Sequence, residues 1–506
     1  MSQWHEYALP LLLLLPLVAA VVLLVSGARA DRWATGFGVG VQGVGLLVAL
    51  AVLADFDAGE SGTMQFTMDT QWVDQLDLSI RLGVDGISLP LVVLTSLLGL
   101  LTTVYSIRFL PEPGHPRAFI GLLLLLQVGM LGTFTSLDLI LFFISFEVVL
   151  VPIWFLIAVW GDGEKRAAAN TFILYTVLAS IVMLLGFLLV WANTGTTDMV
   201  ELAEAHGDGL KSSTQLVAVL LIGLGLAVKT PMWPLHTWLP DAHTAAPTVA
   251  SVLLAGVLLK MGTYGMVRIA LPVLPEGAAD VAPYLAVLAV IGILYGAWAS
   301  FGQQDLKRLI AFSSVGHMGF VLFGISTLDP IGVNAALFGN IAHGLITGLL
   351  FFVVGGIKER THTTALRDLP HGIYHRAPRL GFLFGFACIA SLGLPGLAGF
   401  WGEFLALLGA YNPLLPERLL YRTLLVMAAL GMVLTAAYFL RVMRRVGQGK
   451  PEGQPMRDIC EVEGASWVPL GALILVLGLF PGVLLSLTDQ PVQEVLSAPN
   501  ALGEGD

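Results

Sequence analysis

The chain has 506 residues, 56% of them hydrophobic and 12% charged, with a formal net charge of -10. Soluble domains carry about a quarter charged residues, so the composition excludes a soluble enzyme and a disordered protein. The negative balance argues against a nucleic-acid surface. Two cysteines, Cys388 and Cys460, are too few for a disulfide framework, an iron–sulfur cluster or a zinc site. One polytopic, all-α membrane body is expected.

A helix that crosses a bilayer needs roughly 20 mostly apolar residues. Fourteen such runs are predicted, at about 8–26, 36–54, 86–108, 117–135, 138–160, 168–192, 215–230, 246–270, 282–301, 307–326, 331–356, 379–409, 419–443 and 466–486. Unbroken apolar stretches such as Leu11–Leu15 lack the alternation of a transmembrane β-strand. Ala28-Arg29-Ala30 resembles a signal-peptidase site, but nothing basic precedes the first run and its apolar stretch is too long, so it is expected to stay as a span.

Lysine and arginine set the orientation. Eighteen fall on one side of the alternating loops, among them Arg29, Arg117, Lys165, Lys307, Lys358, Arg379, Arg444 and Arg457. Five fall on the other: Arg81, Lys211, Arg268, Arg418 and Arg422. The richer side is predicted to be cytoplasmic, with both termini outside. The two cations left from the total of 25, Lys229 and Lys260, lie inside predicted helices.

The spacing also suggests a repeat. Runs that begin near 117, 138 and 168 recur at 282, 307 and 331, an offset of about 165, and Pro231 then maps within one residue of Pro395. Five helices per unit is an odd number, so units 117–270 and 282–445 are expected to be inverted. Residues 1–116 contribute three helices before them and 466–506 a helix and tail after, all in one membrane domain. The seventh run ends in Lys229-Thr230-Pro231-Met232-Trp233-Pro234, and the twelfth contains Gly393-Leu394-Pro395-Gly396. Both are expected to be broken, since proline removes a backbone donor and unwound backbone at membrane depth must be lined by protein or water. Matched breaks in inverted repeats mark transport paths; a packing kink is the alternative.

An ionisable side chain inside a span costs at least ~2.5–3.5 kcal/mol. Four stand out: Glu147 in the fifth run, Lys229 in the seventh, Lys260 in the eighth and Glu403 in the twelfth. His317 and His343, in the tenth and eleventh, add groups that titrate near neutral pH, and Ser313, Ser314 and Thr347 are placed to hold water. Burial and a nearby carboxylate act in opposite directions on a lysine, so these residues read as a proton-transfer line. A structural ion pair is the alternative for Glu147 with Lys229, and hydrogen-bonded packing for either histidine. Haem ligation by the histidines would leave the lysines and breaks unexplained.

The run Lys229-Thr230-Pro231-Met232-Trp233-Pro234-Leu235-His236-Thr237-Trp238-Leu239-Pro240-Asp241-Ala242-His243 resembles the proton-translocating, antiporter-like subunits of respiratory complex I, kin to the membrane chains of multisubunit cation/proton antiporters. Ala246-Pro247-Thr248-Val249-Ala250-Ser251, the segment leading to Lys260, and Gly399-Phe400-Trp401-Gly402-Glu403-Phe404 resemble the subunit M (chain 4) branch most. The resemblance implies a subunit of NADH-quinone oxidoreductase, a proton translocase, in a bacterial cytoplasmic (inner) membrane. It implies that Glu147 and Lys229 form a pair, Lys260 is a central relay, His317 and His343 link it onward, and Glu403 is the terminal carrier. The implied partners are the flanking antiporter-like subunits L and N. FMN, iron–sulfur clusters and quinone would belong to other chains, with no cofactor or metal and no nucleic acid here. A subunit of a multisubunit Na+/H+ antiporter or of a related membrane-bound hydrogenase is the rival expectation.

Overall fold

The computed structural model describes residues 3–73, 78–450 and 456–497. In chain order the elements are α1 (Gln3–Val25), α2 (Ala34–Asp55), β1 (Gln65–Val73), β2 (Leu78–Val84), α3 (Ser88–Tyr105), α4 (Pro116–Thr135), α5 (Leu139–Trp160), α6 (Lys165–Thr194), α7 (Ser212–Lys229) and α8 (Trp238–Ala245). They continue with α9 (Thr248–Val273), α10 (Pro275–Gly302), α11 (Leu306–Ser326), α12 (Pro330–Thr361), α13 (Pro378–Ser391), α14 (Ala398–Tyr411), α15 (Arg418–Gly447), α16 (Glu461–Leu479) and α17 (Gly482–Val495).

Thirteen helices among the described residues are long and apolar enough to cross a membrane. The remaining expected span, 379–409, is divided into α13 and α14, each of 14 residues. Ends differ from the expected runs where local chemistry decides them. Pro275 starts α10 earlier than the apolar run because a proline suits a first helical turn. Two elements went unread: the amphipathic α17, and the antiparallel hairpin β1–β2, which pairs Gln65 with Val84 and Asp69 with Arg81.

Burial sorts the helices into layers. The apolar stretch of α9 is entirely enclosed by protein, and those of α11 and α12 almost so, while α1, α2 and α15 turn most of theirs outward. The enclosed helices carry Lys260, His317 and His343, whereas Glu147 and Lys229 lie on the half-enclosed α5 and α7; a charge is tolerated at membrane depth where protein faces it.

Loops expected on one side do share a face. Asp162 N donates to Ala245 O at 2.8 Å, Lys307 Nζ to Ala246 O at 2.6 Å, and Lys358 pairs with Asp162. Arg360 grips Glu463 with both terminal nitrogens, at 2.6 and 2.7 Å. At the opposite end of α5 a similar motif appears. Asp138 caps α5, Leu139 N donates to Thr197 O at 2.9 Å, and the Thr197 hydroxyl donates to the capping carboxylate. Asp305 does the same for α11, with Leu306 N on Thr364 O at 2.9 Å and the Thr364 hydroxyl on the cap.

Candidate functional site

Lys260 is placed by the irregularity of its helix. Within α9 the turns Leu254–Leu258 and Met266–Ala270 are π-helical, a widened form that often accompanies function. Gly256, in the first wide turn, meets Gly344 of α12: a Cβ on Gly344 would lie 2.7 Å from the Gly256 carbonyl oxygen. Two backbones that close bring fully buried Lys260 onto His343. Nζ lies 2.6 Å from His343 Nδ1 and donates to Ala255 O at 2.5 Å. Which of Lys260 and His343 donates depends on where the proton sits.

From His343 the polar line continues inward. Its ring centroid is 5.7 Å from that of His317 on α11. His317 Nδ1 is 2.8 Å from Glu403 Oε1 and Nε2 is 3.0 Å from Ser391 Oγ. Ser391 closes α13 and Glu403 lies early in α14, so the broken helix supplies both groups. The break itself needs glycine: Gly393 and Gly396 have φ of +77° and +93°. His317, His343, Thr347, Ser391 and Glu403 line a cavity of about 30 Å³, room for one or two waters. Ser313 and Ser314 do not join it; their hydroxyls donate to Ile310 O at 2.8 and 3.1 Å.

Glu147 and Lys229 are neighbours without touching. Lys229 ends α7, and its Nζ stands 4.5 Å from the centroid of the Phe146 ring, so the aromatic face meets the ammonium. Neither Lys229 Nζ nor Glu147 Oε1 has a hydrogen-bond partner among the described residues. A structural ion pair is not what the geometry presents. The unwound segment after Lys229 satisfies its backbone locally, with Met232 N on Ala227 O and Trp238 Nε1 on Val228 O, both at 3.0 Å.

Two further groups escaped sequence reasoning. Lys307, read as a loop cation, is buried on the Ala246 carbonyl and lines a cavity of about 480 Å³ with Asp162, Asp241 and Lys358. His243 is buried against Phe351, rings 4.5 Å apart and 10° from parallel, with both nitrogens unpartnered among the described residues. Its place in the motif after the break was the available signal; for Lys307 there was none. No cluster of three or more His, Cys, Asp or Glu able to hold a metal occurs among the described residues.

Residues 136–436 match the family described as NADH:quinone oxidoreductase/Mrp antiporter, transmembrane. NADH-quinone oxidoreductase subunit M of Rhodobacter capsulatus is 38% identical over 505 residues, 96% of each chain. NAD(P)H-quinone oxidoreductase chain 4 1 of Synechococcus sp. (strain JA-2-3B'a(2-13)) is 41% identical over 87% of this chain and 82% of its own. Among solved structures, a chain of respiratory complex I from Thermus thermophilus with bound NADH superposes with a TM-score of 0.86 at 29% identity, covering 98% of this chain and 99% of that one. A chain of the Mrp complex from Dietzia sp. DQ12-45-1b reaches 0.85 at 22% identity, covering 99% and 100%, a likeness of fold.

Proposed function

The chain belongs to the NADH:quinone oxidoreductase/Mrp antiporter transmembrane family, in its subunit M (chain 4) branch, and from that premise we propose that Glu147, Lys229, Lys260, His343, His317 and Glu403 carry protons through it. It is a membrane-arm subunit of NADH-quinone oxidoreductase, a multi-pass membrane protein. The observation that carries the proposal is the string Lys260–His343, His317–Glu403, assembled from α9, α12, α11 and α14 around one small cavity.

In this reading Lys229, against the Phe146 ring, takes up a proton on the cytoplasmic side, where the helix is unwound, and Glu147 sets how firmly it is held. The proton passes to Lys260, is shared with His343, crosses the water-sized cavity to His317, and leaves through Glu403. Each proton moved against 100 mV costs ~2.3 kcal/mol. That energy comes from quinone reduction in other chains, where FMN, iron–sulfur clusters and quinone would reside. The flanking subunits L and N are the proposed neighbours and the bacterial inner membrane the proposed site, with both termini outside by the excess of Lys and Arg on one face. The matched caps, Asp138 at the start of α5 and Asp305 at the start of α11, support two repeated units, 117–270 and 282–445, and Asp305 lies with Asp162 at the end of α5 remote from Asp138, as an inversion requires.

The direct test uses inverted membrane vesicles with the assembled complex carrying Lys260→Ala. Expected is a loss of NADH-driven acidification while NADH oxidation by an artificial acceptor persists. Acidification equal to wild type would sink the relay.

A further inference from the structure

The ends of α10 and α15 on the arginine-rich face enclose a cavity of about 580 Å³ that the proton path does not use. Arg367, His371, Arg441, Arg444 and Arg445 line it, and no carboxylate does among the described residues. A π-helical turn over Met443–Gly447 closes α15 and presents two of these arginines.

Their partners are almost all neutral. Arg441 Nη1 donates to Phe301 O at 2.5 Å, with its guanidinium 5.7 Å from the Phe301 ring centroid. Arg445 donates to Leu369 O at 3.2 Å and to Arg367 O at 3.1 Å, and lies 3.2 Å from His371 Nδ1. Carbonyl acceptors fix where a guanidinium points without cancelling its charge. Arg444 has no partner among the described residues. Only Arg367 meets a carboxylate, Asp368 at 3.4 Å, and both are exposed. Oriented guanidiniums without counter-charge make a phosphate site, since their planar forks match its oxygens.

The surface beneath the cavity selects the source of that phosphate. Val426, Leu430, Val433 and Leu440 are all exposed on α15, and their spacing puts them on one stripe leading up to Arg441 and Arg444. On α10, exposed Trp298 precedes Phe301 by three residues, an aromatic placed as at a membrane interface. A free anion, or an acidic protein segment, has no use for an apolar track below the charges. A phospholipid needs both.

We propose that this cavity binds the phosphate of an anionic phospholipid through Arg441, Arg444 and Arg445, with an acyl chain laid along the stripe on α15. The inner leaflet follows from the orientation proposed above; the site itself does not depend on the proton path. Basic pockets between helices at the cytoplasmic surface are suited to such headgroups.

The test reconstitutes the intact complex in nanodiscs containing a photoactivatable phosphatidylglycerol or the matching phosphatidylcholine, and maps labelled peptides. Phosphatidylglycerol should label segments 298–304 and 438–448, phosphatidylcholine far less. In Arg441→Gln/Arg444→Gln that labelling should fall by about tenfold or more, at roughly a fivefold loss per arginine. Arg444→Lys should retain much of it, and assembly on native gels should be unchanged. Equal labelling by the two lipids, or undiminished labelling in the double variant, would overturn the proposal. So would displacement by millimolar inorganic phosphate, which means a free-anion site, or cross-links from these segments to an acidic stretch of a neighbouring subunit in place of lipid. NADH-driven acidification is not part of the readout, so failure here leaves the proton relay standing.

Discussion

Lys229 and Glu403 are the residues whose chemistry is most exposed to test. Lysine can give up its proton, whereas arginine keeps it under all ordinary conditions. If Lys229 carries protons, Lys229→Arg should fail at pumping nearly as badly as Lys229→Ala, each by at least about tenfold. Acidification by the arginine variant close to wild type would mean that Lys229 supplies only a fixed charge. Glu403 meets His317 at 2.8 Å, and its Oε2 is unpartnered among the described residues. Glu403→Gln keeps the shape and a hydrogen bond but loses the titrating group, so pumping should fall while electron transfer to an artificial acceptor persists. Equal loss of both activities in an assembled complex would remove Glu403 from the relay. Both residues were legible in the sequence because an ionisable group in an apolar run has no cheap structural excuse. Their contacts were not: Lys260 and His343 are 83 residues apart, and His317 and Glu403 are 86.

Glycine permits the close approach of α9 and α12. A Cβ on Gly344 would fall 2.7 Å from the Gly256 carbonyl oxygen and 2.8 Å from Leu94 Cδ2. Leu94 can swing away but backbone cannot, so Gly344→Ala should cost ~1–3 kcal/mol as an overpacked core, read as a lowered Tm. It should also weaken pumping by parting Lys260 from His343. A stability and pumping record matching wild type would mean that α9 and α12 can separate freely. A second element-scale test is electrostatic. Asp458 accepts from the amides of Arg379, Leu380 and Ile459 at 3.1, 3.0 and 2.9 Å, so a distant loop caps α13. Partial burial works against its charge, but those amides hold the carboxyl below its usual value. The folded state therefore gains stability above the unfolded value of ~3.9 and loses it as pH falls through the lower folded one. Wild type should melt above Asp458→Asn near neutral pH, and the gap should close below about pH 4. A gap independent of pH would mean that the amides respond to shape alone.

At the scale of the molecule, one buried pair ties the largely enclosed α12 to the last crossing helix, α16. Arg360, at the end of α12, holds Glu463 at the start of α16, and Glu463 also accepts from Cys460 N at 2.8 Å. Removing one partner strands a buried charge, at ~3–5 kcal/mol, whereas replacing both with apolar groups is often neutral. Arg360→Met should therefore lower Tm sharply, and Arg360→Met with Glu463→Leu should restore much of it. If the double variant is no better than the single one, the loop hydrogen bonds of Arg360 to Arg457 O and Asp458 O matter more than charge.

The sequence by itself determined the class of the molecule, nearly all of its spans, the two broken helices and the six ionisable residues of the proposed path. Each of these follows from a local cost: apolar length against the bilayer, proline against the helix, charge against hydrocarbon. It did not determine that the Phe146 ring meets the Lys229 ammonium, that Lys307 is buried, or that Ser391 rather than Ser313 or Ser314 faces His317. It also left the hairpin β1–β2 unread, because strands at a membrane surface have no burial pattern of their own to announce them. Those outcomes were decided by tertiary structure. Which face of a helix meets which neighbour depends on glycine contacts, wide turns and breaks acting together across segments far apart in the chain, and no local preference encodes that.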